Sequence, residues 1–78
     1  MTDTAVDYER SVLGAILADN SQVTNINLLP RDFSVATHAQ IYETARRLIG
    51  AGKATDALTL ADALESVTVR KYLQQITV

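Results

Sequence analysis

Two side chains that can move protons stand where apolar ones are expected. Glu9 projects into a stripe formed by Val12, Leu13, Ile16 and Leu17. His38, the single histidine, stands one turn ahead of Ile41 and Tyr42. A buried carboxylate without donors is costly, so Glu9 must find some. Backbone N–H groups at another helix start, or His38, can supply them; a catalytic carboxylate is the other reading. His38 is either a partly buried imidazole satisfied by a carbonyl or carboxylate, or an exposed residue that touches a partner. Metal ligation needs companions at fixed spacing, and the chain has no cysteine and no second histidine. Gly50-Ala51-Gly52-Lys53 approaches a phosphate-cradling loop, but it follows a helical stripe and not a strand. A serine nucleophile elbow is absent. These observations predict no catalytic site, no cofactor and no metal.

The remaining polar features read as surface. Arg46-Arg47 and Arg70-Lys71 are small basic pairs. Each is a solvated face, or a contact for an acidic partner or a nucleic-acid phosphate. Arg46, Arg47, Arg70, Lys71 and Tyr72 are therefore the candidate partner-contact residues. Glu9, Gly14, Phe33, His38 and Thr59 are the candidate structural ones.

Helices must position these residues. The spacing of Val12, Leu13, Ile16 and Leu17 predicts a first helix, extended N-terminally by Ala5 and Val6. Asp3 or Thr4 is its expected N-cap, and Asp19-Asn20-Ser21 its stop. Gly14 costs such a helix roughly 1 kcal/mol relative to Ala. The expected reason is the close approach of another helix, with a hinge as the lesser reading. A short second helix follows, capped by Asn20-Ser21, carrying Val23 and Ile26 inward and ended by Leu28-Leu29-Pro30. Arg31-Asp32-Phe33 reads as a turn, with Phe33 plugging a gap between helices. A third helix begins between residues 34 and 37 and runs to about 51. It buries Ile41, Tyr42, Ala45, Leu48 and Ile49 and closes on a left-handed glycine of the Gly50-Ala51-Gly52 run. Thr59-Leu60-Ala61-Asp62 matches a capping box with Thr59 as N-cap, so Asp56-Ala57-Leu58 is expected to run extended into a fourth helix. Ser66-Val67-Thr68 interrupts it, and Val69, Tyr72, Leu73 and Ile76 mark a last one. No stretch alternates apolar and polar residues. The expectation is an all-α fold, a small compact orthogonal bundle of about five helices in one domain, residues 1–78.

Composition agrees. Of the 78 residues, 47% are hydrophobic and four are aromatic, so a packed core must be built from Leu, Ile, Val and Ala. A net charge of -2 argues mildly against a domain that mainly grips phosphates. No secretory signal and no apolar run near ~20 residues is present. A cytoplasmic protein without membrane contact is the expectation. The chain stops inside a helical pattern, which suggests a longer protein cut short.

In order and spacing the motifs resemble one family. Glu9-Arg10-Ser11-Val12-Leu13-Gly14-Ala15-Ile16-Leu17 with Asp19-Asn20 is similar to the start of the N-terminal domain of the DnaB-type replicative DNA helicase. Leu29-Pro30-Arg31-Asp32-Phe33 resembles its Leu-Pro-x-Asp-Phe turn, and His38-Ala39-Gln40-Ile41-Tyr42 its His-x-x-Ile-aromatic helix start. Gly52 to Asp56, then Leu58-Thr59-Leu60-Ala61 and Leu64-Glu65, resemble its Gly-x-x-x-Asp link and following helix; Tyr72-Leu73 resembles its close. The stretch from Ser66 to Lys71 is shorter than the family's and lacks its usual Gly pair. The helical hairpin, linker helix and RecA-like ATPase domain that follow the head in the family are missing. The resemblance implies the head alone: a module that neither binds ATP nor unwinds DNA, self-associates as a dimer or in the hexamer collar of the parent protein, and receives primase and the helicase loader. A stand-alone phage or mobile-element protein that mimics the head is the alternative. A helix-turn-helix using Arg70-Lys71 on DNA is a second, disfavoured by the charge.

Overall fold

The computed structural model describes residues 4–64 and 67–77. Four α-helices appear: α1 (Thr4–Ala18), α2 (Ala36–Gly50), α3 (Ala57–Ala63) and α4 (Val67–Thr77). Two short 3₁₀ segments, Asn20–Thr24 and Pro30–Asp32, lie between α1 and α2. No strand occurs among the described residues. The fold is the expected small all-α bundle, with four α-helices where about five helices were expected.

α2 is the central element and packs on each of the other three helices. Its stripe is fully buried at Ile41 and Tyr42, and nearly so at Ala45. α1 contributes Val12, Leu13 and Ile16, α3 contributes Leu60, and α4 contributes Val69 and Leu73. Leu64, just after α3, completes the core. Phe33 enters it from the turn ahead of α2, its ring 4.7 Å from that of Tyr42. The Tyr42 hydroxyl donates to the Leu28 carbonyl at 2.7 Å, so the aromatic pair pins the irregular segment between α1 and α2 onto α2.

Several helix ends differ from the sequence expectation. Asp3 lies outside the described residues, and Thr4 is already helical. The short second helix is a 3₁₀ segment capped by Asp19, whose carboxylate accepts from Ser21 N–H at 3.1 Å; Asn20 and Ser21 are inside it. It ends at Thr24, before Ile26, because Asn and β-branched residues do not carry a longer helix. Pro30 does not end a helix. It opens the second 3₁₀ turn, where its missing N–H is no loss, and Asp32 accepts from Leu29 N–H at 2.8 Å. α2 ends as expected: Gly52 takes φ +82°, while Gly52 N–H reaches Ile49 O at 2.9 Å and Lys53 N–H reaches Leu48 O at 3.1 Å.

The N-cap of α3 is Asp56, not Thr59. The Asp56 carboxylate accepts from Thr59 N–H at 2.8 Å, so Ala57 and Leu58 are helical rather than extended. The interruption expected at Ser66-Val67-Thr68 falls earlier: α3 already ends at Ala63, Leu64 is extended, Val67 and Thr68 belong to α4, and Ser66 lies outside the described residues. The Ile76 side chain likewise falls outside them. A clasp joins the far end of α1 to the link before α3. Asn20 donates to Thr55 O and accepts from Thr55 N–H, both at 2.7 Å, and also donates to Ile16 O at 2.8 Å.

Gly14 has no close helix neighbour. A methyl group there meets nothing within 4 Å, so the expected close approach does not occur among the described residues. Gly14→Ala should therefore raise stability by roughly 1 kcal/mol in chemical denaturation, by propensity alone. Asp56→Ala should lower it, and by more than Thr59→Ala does; the reverse order would restore Thr59 as the cap.

Candidate functional site: a buried carboxylate, imidazole and phenol chain

Glu9 and His38 meet in the core, although 29 residues separate them. Glu9 lies on the buried face of α1, and its carboxylate reaches the chain that leads into α2. Oε2 accepts from Ser34 N–H at 2.9 Å and from the Ser34 hydroxyl at 2.6 Å. Oε1 accepts from Val35 N–H at 3.4 Å and sits 2.8 Å from His38 Nδ1. Val35, the N-cap residue of α2, has no side-chain cap of its own. The carboxylate from α1 instead binds the N–H groups of Ser34 and Val35 just ahead of the first turn, where the positive end of a helix favours a negative charge. Both kinds of donor named from sequence, a helix-start backbone and His38, are used together.

His38 is wholly buried, and both ring nitrogens are occupied. A carboxylate at Nδ1 assigns the proton to that nitrogen, which leaves Nε2 as an acceptor. The Tyr72 hydroxyl of α4 donates to it. Tyr72 oxygen in turn accepts from Arg10 Nε–H at 3.3 Å, and the Arg10 guanidinium stands 5.9 Å from the centre of the Tyr72 ring. Every hydrogen points one way, from Arg10 through Tyr72 and His38 to Glu9. Three helices and the entry to α2 are joined by it.

Burial pushes the Glu9 carboxyl up. The hydrogen bonds from the Ser34 hydroxyl and N–H, His38 and Val35 N–H outweigh that and bring its pKa down to about 2. Asp19 and Asp56, the two capping carboxylates, are also held below the ordinary range, Asp19 chiefly by the Ser21 hydroxyl and Asp56 chiefly by Thr59 N–H.

The order carboxylate, imidazole, hydroxyl is that of a nucleophile-activating relay. Here it lacks access. The imidazole has no exposed surface and no free nitrogen. An open cleft of about 260 Å³, lined by Leu17 to Asn20 and Ala54 to Asp56, includes none of the relay residues. The geometry fixes helices to one another. Among the described residues, no group of three or more histidines and carboxylates is placed to hold a metal ion. No helix there is long and apolar enough to cross a membrane.

The candidate contact residues separate into two kinds. Tyr72 is half-buried, with its hydroxyl spent on His38 and Arg10. Arg70 is also half-buried and turns back to Leu64 O at 2.6 Å. Arg46 is exposed but lies over the Tyr42 ring at 5.5 Å and reaches Leu28 O at 3.3 Å. Arg47 and Lys71 are exposed. Arg10 was not singled out from sequence; the signal available was its position beside Glu9 on the flank of the apolar stripe.

The described residues form a small all-α domain whose buried polar side-chain atoms all have hydrogen-bond partners. The family comparison gives the class a name: the chain belongs to the DnaB-like helicase N-terminal domain family, whose model matches residues 2–77. Searches of curated proteins and of solved structures gave no significant match.

Glu9→Gln should destabilise the domain by about 2–4 kcal/mol, because an amide NH₂ then faces donors at a buried site. Glu9 titrates lower folded than unfolded, so its contribution is complete above about pH 5 and is lost as pH falls toward 2. Asp19 and Asp56 act in the same direction. Denaturation curves between pH 2 and 6 should therefore slope less in Glu9→Gln than in wild type, and parallel slopes would remove the carboxylate from the account.

Proposed function

We propose that this chain is a non-catalytic protein-interaction domain of a replicative DNA helicase in the cytoplasm. In this reading it supports assembly of a hexamer collar and docks primase and the helicase loader during DNA replication. The observation that carries the reading is the family match over residues 2–77. The fold supports it. The core side chains of all four helices are used in holding one another, and the one relay of catalytic type is sealed. What remains for contact is the outer surface. Arg47 and Lys71 are exposed there, as are Tyr8, Leu58 and Val67, each more than half exposed. DNA contact by this domain is weak or absent in this proposal, in keeping with a net charge of -2.

A pull-down with purified primase, loader and full-length helicase tests it directly. Retention of at least one is expected, weakened by Arg47→Glu or Lys71→Glu if the basic faces take part. Retention of none, or salt-sensitive duplex binding tighter than micromolar, would overturn the reading.

A further inference from the structure

The relay has a property that its structural role does not require: its hydrogens can run in only one direction while His38 is neutral. Nδ1–H is committed to Glu9, so Nε2 must receive the Tyr72 hydrogen. Histidine is the side chain that ordinarily gains a proton between pH 5 and 8, and this chain has one histidine. We propose that His38 is a proton-operated latch on α4, in which protonation at Nε2 reverses the Tyr72 hydroxyl and loosens the hold of α4 on α1.

The proton balance is simple. The ring itself has no exposed surface, so one proton reaches Nε2 from solvent past the half-buried Tyr72, and Nε2 becomes a donor to the Tyr72 oxygen. The Tyr72 hydrogen then rotates away from the ring. Tyr72 is half-buried and its neighbour Arg10 is exposed, so that hydrogen turns toward the solvent side. The oxygen now accepts from two cations, Arg10 at Nε and His38 at Nε2, and their mutual repulsion weakens the Arg10 contact.

The surrounding charges permit this. From α1, the Glu9 carboxylate stays on Nδ1 and compensates the imidazolium, so the charge is paired and not orphaned. Arg10 is the other charged α1 group facing the relay, with Asp7 beside it exposed on the same helix. From α4, Tyr72 bonds the ring; Lys71 is exposed and Arg70 turns to Leu64 O. α3 turns Leu60 inward, and its one carboxylate, Asp62, is exposed. On α2 itself Glu43, Arg46 and Arg47 are exposed. Among the described residues, Glu9 is the one carboxylate bonded to the ring, and it is on Nδ1.

The test is an NMR titration of the full chain from pH 8.5 to 5, following the His38 ring and the backbone amides of residues 71–75. The expected result is that these amides shift with the same midpoint as His38. Their hydrogen exchange, corrected for the intrinsic pH dependence, should quicken about three- to tenfold on the acid side. In Tyr72→Phe the ring still titrates and the amides no longer follow it. Arg10→Gln removes an exposed side chain and leaves the core intact, so it serves if Tyr72→Phe does not fold; there the acid-side quickening should vanish. A folded chain in which His38 titrates while the α4 amides stay silent would overturn the proposal. So would a His38 that takes no proton across this range, or full quickening retained in Arg10→Gln.

Discussion

A carboxylate on one helix holds the entry to another. Glu9 is the point at which α1 supplies a negative charge to the start of α2, and the whole arrangement depends on it. Val35 has no side-chain oxygen to offer the first turn of α2. Glu9 brings two oxygens, and they take the Ser34 and Val35 N–H groups, the Ser34 hydroxyl and His38 together. A charge buried in this way is tolerable only when nearly all its acceptor sites are filled. The two helices therefore cannot slide or rotate against each other without exposing an unpaired carboxylate to the core. Apolar packing alone would permit several registers; the carboxylate permits one.

For a domain of this size the constraint is large relative to the total. A chain of 78 residues has roughly 4–12 kcal/mol to separate folded from unfolded. Its core is built mainly from aliphatic side chains, with Phe33 and Tyr42 its buried aromatics. Polar groups that are costly when unsatisfied sharpen such a core, because misfolded arrangements carry their penalty in full.

Much of this was legible in the sequence, for identifiable reasons. α1 and α2 follow from apolar spacing, and the odd carboxylate at Glu9 announced that it needed donors. His38 could be named as one, because it lies on the buried side of its own helix. Tyr72 could not. Its link to His38 spans 34 residues and two helices, and periodicity says nothing about which inner residues of distant helices meet. In the sequence Tyr72 belongs to the stripe of the last helix and adjoins a basic pair, and neither feature points to His38. The start of α3 failed differently. Asp56 and Thr59 both have cap chemistry, three residues apart, and the Thr-x-x-Asp pattern is locally as good as the true one. Only the contacts of Leu60 and the link before it decide between them. For Gly14 the chain itself supplies no reason.

The Asn20 clasp has a chemical consequence beyond packing. Asn20 precedes Ser21, the one Asn-Ser pair in the chain. Such pairs age by losing ammonia when the following backbone nitrogen closes a ring onto the side-chain amide. Here the Ser21 N–H is turned to Asp19, and the Asn20 amide is tied on both sides to Thr55 and held by Ile16 O. The geometry that fastens the end of α1 to the entry of α3 also protects that bond from slow chemical decay, for as long as the fold persists.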